Sequence, residues 1–204
     1  NPMRLIQAMK VGKKLPVVVE KAKLEQLLDH MDDQEESFEN VRDFLIMELL
    51  FGTGIRLAEL LQINERDIDF YNKKLLILGK RNKMRFVPIH QSLLEELKKY
   101  IDKKKEQQWE NKSDSLVVTK DGKAAYPKLI YRVVNKYLTM ITTQKKKSPH
   151  ILRHSFATIL LDNGADLNAI KELLGHAGLA ATQVYTHNSA ERLKTIYKQA
   201  HPKA

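Results

Sequence analysis

His150, Arg153 and His154 fall at i, i+3 and i+4, so on a helix they share one face near the first turn. Ser148-Pro149 supplies a cap residue and a proline at the first helical position. Unpaired N–H groups and the positive end of the helix dipole favour an anion there, and Arg153 adds a two-pronged donor. Two histidines four apart also resemble half of a zinc site that His176 or His187 would complete. Against that reading, no glutamate follows the first histidine and Arg153 would repel a cation. Gly52-Thr-Gly54-Ile-Arg56-Leu-Ala-Glu59-Leu60 has the form of a turn opening onto a short helix, with an arginine at its start pointing toward an anion. Gly79-Lys80-Arg81-Asn82-Lys83-Met84-Arg85 reads as a basic hairpin tip whose lysine reaches toward a phosphate. Leu173-Leu-Gly-His176 and Tyr185-Thr-His187 put an imidazole and a phenol on successive short elements. Taken singly, each has a plain structural alternative: a satisfied core histidine, an ordinary N-terminal arginine, a solvated turn.

The elements that must hold these residues follow from apolar spacing. Leu24, Leu27, Leu28 and Met31 stripe a helix from Lys21, while Phe38, Val41, Leu45, Met47 and Leu49 mark a second, largely buried one that Gly52-Thr-Gly54 ends. Ile68, Phe70, Leu76, Leu78, Phe86 and Ile89 sit in short strand-type segments with turns at Tyr71-Asn72 and Arg81-Asn82, which predicts a small antiparallel sheet. Helical spacing returns over 91–105 and 127–141, with a Leu116-Val-Val-Thr119 strand and a Lys120-Asp-Gly-Lys123 turn between. Ser148 and Gly164 bracket the next helix, Asp166 and Gly175 a shorter one, and Leu193, Ile196, Tyr197 and Ala200 stripe a terminal one. The expected fold class is mainly α with a small three-stranded antiparallel sheet, α+β overall.

The 204 residues are 43% hydrophobic and 29% charged, a globular composition that excludes collagen-like, fibrous and acidic disordered chains. No apolar run approaches the roughly 20 residues of a membrane-spanning helix. The absence of cysteine excludes disulfide scaffolds, thiolate metal sites and cysteine nucleophiles, and is compatible with a reducing cytoplasmic location. Lys+Arg number 35 against 25 Asp+Glu, a net +10, and residues 71–147 hold 20 of the basic and 7 of the acidic groups, which is +13 for that stretch alone. Such a stretch attracts phosphates by releasing condensed counterions, so nucleic acid is the leading partner and an anionic membrane the second. A solvated lysine-rich surface is the alternative.

In order and spacing the five boxes resemble the catalytic domain of the tyrosine recombinases, the phage integrase family, and its Xer type most closely. Arg56 to Lys80 is 24 positions, Arg153 to His176 is 23 and His150 to Tyr185 is 35, as in Xer-type members. The resemblance runs from about residue 12 to about residue 198. It implies that Arg56 and Arg153 grip a scissile DNA phosphate, that His150 and His176 assist, that Lys80 is the general acid and that Tyr185 attacks. It further implies a site-specific recombinase that cuts and rejoins DNA through a 3′-phosphotyrosyl intermediate, with no cofactor, metal or ATP. Glu59 and His154 are expected to support the site, and Arg81, Lys83, Arg85, Lys145, Lys146 and Lys147 to contact DNA. The implied partners are double-stranded DNA and further subunits of a homo- or hetero-tetramer joined through the C-terminal helix, in a bacterial, nucleoid-associated setting. Type IB topoisomerase-like relaxation and a noncatalytic DNA-binding module remain open beside it. Residues 1–19 are expected to be a linker from a core-binding domain that precedes this segment in relatives, and 20–204 the catalytic domain with its C-terminal helix. Arg81 stands where many relatives carry glycine, and Ala177-Gly178 follows His176 where a serine is common.

Overall fold

A helix with apolar residues on every side has to lie inside its domain, even where it carries a few charged groups, and the sequence contains such a helix. In the computed structural model, which describes residues 18–79, 82–110, 113–175 and 195–201, it is α2 (Phe38–Thr53), buried at every position from Val41 to Thr53. Ser37 caps it by accepting from Asn40 N at 3.3 Å. Gly54 stops it in the left-handed region at φ 61°. Around α2 pack α1 (Lys21–Asp32), α4 (Gln91–Glu106), α5 (Pro127–Ile141) and α6 (Pro149–Asp162). The stripe Leu24, Leu27, Leu28 and Met31 is the buried face of α1, as its spacing predicts. Val19 is buried as well, and its N–H donates to Ser155 Oγ at 2.9 Å. The end of the expected linker is therefore already core; residues 1–17 lie outside the described residues.

After the single turn α3 (Leu57–Leu60) comes the predicted sheet, β1 (Ile68–Asp69), β2 (Lys74–Leu78) and β3 (Met84–Pro88), antiparallel in the order β1-β2-β3. Its register pairs Leu75 with Val87, Leu76 with Phe86, Ile77 with Arg85 and Leu78 with Met84. Side chains alternate across a strand, so Leu75, Ile77, Val87 and Arg85 form the core face. Leu78 and Met84, on the other face, are exposed. The strand expected over Leu116–Thr119 does not form: the segment makes an isolated bridge, Val118 to Ala124, and the residue before it another, Asn64 to Ser115. Leu116, Val117 and Val118 are apolar because they plug the core, where Tyr100 Oη accepts from Val118 N at 3.1 Å.

Helix α6 begins at Ser148-Pro149 and ends in a Schellman motif, with Gly164 N on Leu161 O and Ala165 N on Leu160 O, both at 2.9 Å, and Gly164 at φ 84°. The predicted cap position is right, although Ser148 makes no side-chain capping bond. Asp166 caps α7 (Leu167–Leu173) by accepting from Asn168 N and Ala169 N at 3.0 and 3.1 Å. Residues 195–200 are helical (α8). Phe156, Leu160, Ala169, Ile170, Leu173, Leu174, Tyr197 and Ala200 form a second apolar cluster beside the main core. Tyr197 and Ala200 of the expected terminal stripe thus pack on their own domain here, Tyr197 Oη donating to Gly52 O at 2.7 Å. Leu193 lies outside the described residues.

Gly54 is where the fold leaves no room for a side chain. Besides its positive φ, an added Cβ would collide with the Phe156 ring and come within 2.8 Å of Leu174 Cδ2. Gly54→Ala is expected to cost at least about 1–3 kcal/mol from the backbone conformation alone. The check is the midpoint of urea unfolding; an unchanged midpoint would contradict this account.

Candidate active site

The turn that ends α2 delivers Arg56 to the N-cap position of α3 and Glu59 one turn later. Glu59 is 5% exposed, and its carboxylate takes four hydrogen bonds. Oε2 accepts from Arg56 N at 2.8 Å and Arg85 Nη2 at 2.9 Å, while Oε1 accepts from Arg56 Nη1 and Arg85 Nη1, each at 2.9 Å. Burial pushes its carboxyl upward, but the bonds from Arg85 and Arg56 outweigh that and hold it below the ordinary glutamate value.

Helix α6 brings Arg153 to the same place from the other side of the chain. Its Nη1 donates to Gly54 O at 2.5 Å and its Nη2 to Leu174 O at 2.6 Å, so it joins the C-terminal ends of α2 and α7. Those ends carry unpaired carbonyls and the negative pole of each helix dipole, which suits a guanidinium. Burial lowers the Arg153 pKa to about 10, with Arg56 and Arg85 adding to the shift and Glu59 opposing it. The group is still a cation at neutral pH.

Arg56 and Arg85 therefore share one carboxylate, and Arg153 lies near enough for Glu59 to act on its charge, so the guanidinium groups outnumber the carboxylate at this place. Only Arg56 opens to solvent, its side chain 35% exposed. Such a site holds its charge before any ligand arrives and is complementary to an anion.

The structure brings Arg56, Glu59 and Arg153 together as the spacing requires, and adds Arg85 to them. Arg85, expected at the hairpin tip and facing DNA, is instead 6% exposed, because it shares strand parity with Val87. His150 and His154 are exposed on α6, one turn and one residue from Arg153. Lys83, Lys145 and Lys146 are exposed, and Lys147 is half-buried. Lys80, Arg81, His176 and Tyr185 lie outside the described residues, as do Ala177 and Gly178.

Sequence reasoning missed the exposed face of α5. Lys128, Tyr131, Arg132, Asn135, Lys136 and Lys147 line an open groove of about 400 Å³. The available signal was the 3.6-residue periodicity of 127–141, whose polar positions are as regular as its apolar ones.

Residues 18–192 match the phage integrase family. The chain belongs to the phage integrase family. It is 36% identical over 223 residues to tyrosine recombinase XerC of Chlorobaculum parvum, covering 100% of this chain and 66% of that protein. It is 40% identical over 209 residues to XerC of Syntrophus aciditrophicus, covering 100% of this chain and 67% of that one. Among solved structures, this integrase-family chain is similar to the XerH site-specific recombinase bound to difH substrate in a pre-cleavage complex. That likeness has a TM-score of 0.72 at 32% identity over 90% of this chain and 54% of the other. The mainly helical fold with its three-stranded sheet is thus that of a tyrosine recombinase catalytic domain.

Proposed function

We propose that the protein is a site-specific DNA recombinase that breaks and rejoins strands through a 3′-phosphotyrosyl intermediate on Tyr185. The observation that carries this reading is the meeting of Arg56 and Arg153 near one carboxylate, Glu59, which bonds Arg56 and Arg85 directly and is outnumbered by the guanidinium groups. In the proposed reaction the Tyr185 Oη attacks the scissile phosphorus and the bond from phosphorus to the 5′ oxygen breaks. The departing oxygen takes a proton from Lys80, and His150 accepts the phenol proton. Charge that builds on the nonbridging oxygens is met by Arg56 and Arg153, with His176 assisting. The phosphotyrosyl ester conserves the free energy of the original bond. A 5′ hydroxyl from a second strand reverses the step with no call on ATP. Guanidinium groups supply the positive charge for which other phosphoryl-transfer enzymes recruit metal ions.

Tyr197 is a poor candidate for the nucleophile. It is fully buried, its hydroxyl is committed to Gly52 O, and burial, with Glu48 adding to it, raises its pKa well above the ordinary phenol value. The DNA-bound state of the XerH relative supports double-stranded DNA as the substrate. Pairing of two duplexes by a homo- or hetero-tetramer joined through the C-terminal helix is part of the same proposal. So are the DNA contacts of Arg81, Lys83 and Lys145–Lys147. Arg85 we remove from that set and assign to the scaffold.

The deciding experiment traps the protein on a nicked suicide duplex and maps the modified residue. A tyrosine adduct at position 185 on a 3′ phosphate is the expected product. Modification of another residue, or a 5′ linkage, would overturn the reading.

The groove on α5 gives a second expected result. Four of its six lining residues are cationic, and a B-form duplex laid along them would release about 0.9 counterion per phosphate neutralised. Lys128→Ala, Arg132→Ala and Lys147→Ala should each reduce the slope of log Kobs against log salt by about 1. Slopes equal to that of the unaltered protein would take the groove off the DNA path.

A further inference from the structure

Three consecutive carbonyls at the end of α7 each accept from a different arginine. Leu173 O takes Arg85 Nε at 3.0 Å, Leu174 O takes Arg153 Nη2 at 2.6 Å and Gly175 O takes Arg56 Nη2 at 3.2 Å. The next residue in the chain is His176. Gly175 is at φ 64°, and a Cβ there would lie 3.0 Å from Arg85 Cζ, so the loop rests directly on that guanidinium.

Arg85 is, with Arg153, one of the two buried members of this set, and the one that pairs with Glu59. Its Nη1 and Nη2 meet the two oxygens of Glu59 side by side at 2.9 Å, and its Nε takes the helix carbonyl. The same two oxygens hold Arg56, one through its main-chain N and the other through Nη1. Arg85 is therefore one group removed from Arg56, through Glu59. It is also one peptide removed from the carbonyl that holds Arg153, through Leu173. A buried ion pair gives little net stability and is often exchanged for apolar side chains without loss. What this one supplies is geometry: a planar fork fixes the carboxylate in rotation as well as position.

Resting on the recombinase reading above, we propose that Arg85 is a positioning residue of the reaction. It sets the angle of Arg56 through Glu59 and seats the end of α7 up to Gly175, so that both phosphate-gripping guanidiniums are fixed by one side chain. It does not touch the DNA.

The test measures the single-turnover rate of covalent trapping at saturating nicked duplex, together with the Kd for the uncut duplex and the thermal midpoint. The variants are Arg85→Lys and Arg85→Met. Lysine keeps the charge but cannot meet both carboxylate oxygens and the carbonyl in one plane. The expected result is a trapping rate per folded molecule lower by on the order of 10²-fold in both, with Kd and its salt dependence unchanged. A trapping rate for Arg85→Lys equal to that of the unaltered protein overturns the proposal. So does a loss that follows only the unfolded fraction and disappears on cooling, and so does failure of both variants to fold, since each assigns Arg85 to stability alone. Tyr185→Phe run in parallel separates the two claims. If it still traps DNA, the recombinase reading falls; if it traps none while Arg85→Lys is unimpaired, only the positioning role falls.

Discussion

Tyr185→Phe is expected to abolish covalent capture of a nicked suicide duplex, by on the order of 10⁴-fold or more, the scale on which covalent catalysts fall when the nucleophile is removed. Only one oxygen is lost. The change leaves in place every residue of the cationic cluster of Arg56, Arg85 and Arg153 and of the groove of Lys128, Arg132, Lys136 and Lys147. Affinity for the uncut duplex should therefore stay within about twofold, because phosphate contacts dominate such binding. The measurement is a denaturing gel for the adduct beside a binding titration at fixed salt. An adduct formed at the original rate would move the nucleophile to another residue. Loss of binding in step with capture would mean that Tyr185 holds the fold or the DNA instead of reacting with it.

Why the sequence revealed some of this site and hid the rest is a matter of which interactions are local. Arg56 and Glu59 are three residues apart, and their pairing is an N-terminal helix contact that spacing alone suggests. Arg153 was legible because it sits one turn into a helix that a serine-proline pair and a glycine delimit. The burial of α2 and the small antiparallel sheet followed from periodicity in the same way, whereas the four helices that surround α2 came only from the structure. Arg85 was not legible. Period-2 patterning gives two possible faces, and Leu76, Leu78 and Phe86 are as apolar as Leu75, Ile77 and Val87. Choosing the correct face would have put Arg85 inside and left it in need of a carboxylate. Only the non-local pairing with Glu59, 26 residues away, says which face that is. Leu116–Thr119 misled for a related reason: β-branched, apolar residues read as a strand whether they pair along a sheet or plug a core. The carbonyl ladder at the end of α7 has no side-chain signature at all, since backbone atoms make it.

Glu59→Gln is expected to have the largest effect on stability of any single change at the site, and its pH dependence identifies the cause. The carboxylate is held below its ordinary value by Arg85 and Arg56 despite its burial. A group whose folded pKa is depressed adds stability that is present above its unfolded pKa, near 4.5, and is lost as pH falls through the lower folded value. The contribution is thus intact at neutral pH and declines below about pH 4.5. Glutamine keeps the shape but removes the charge, and its amide nitrogen turns two donors toward guanidinium groups that are themselves donors. Arg85, with a side chain 7% exposed, is then a buried cation without a counter-charge. Breaking a buried pair in this way costs about 3–5 kcal/mol. Two results are expected: a urea midpoint at pH 7 lowered by that amount, and a flatter decline of stability between pH 5 and 3 than in the unaltered protein, since the titrating group is gone. Parallel acid curves for the two proteins would show that Glu59 carries no linked proton. A midpoint unchanged at pH 7 would show that Arg56 and Arg85 find other partners, and the scaffold described for the phosphate site would then be redundant.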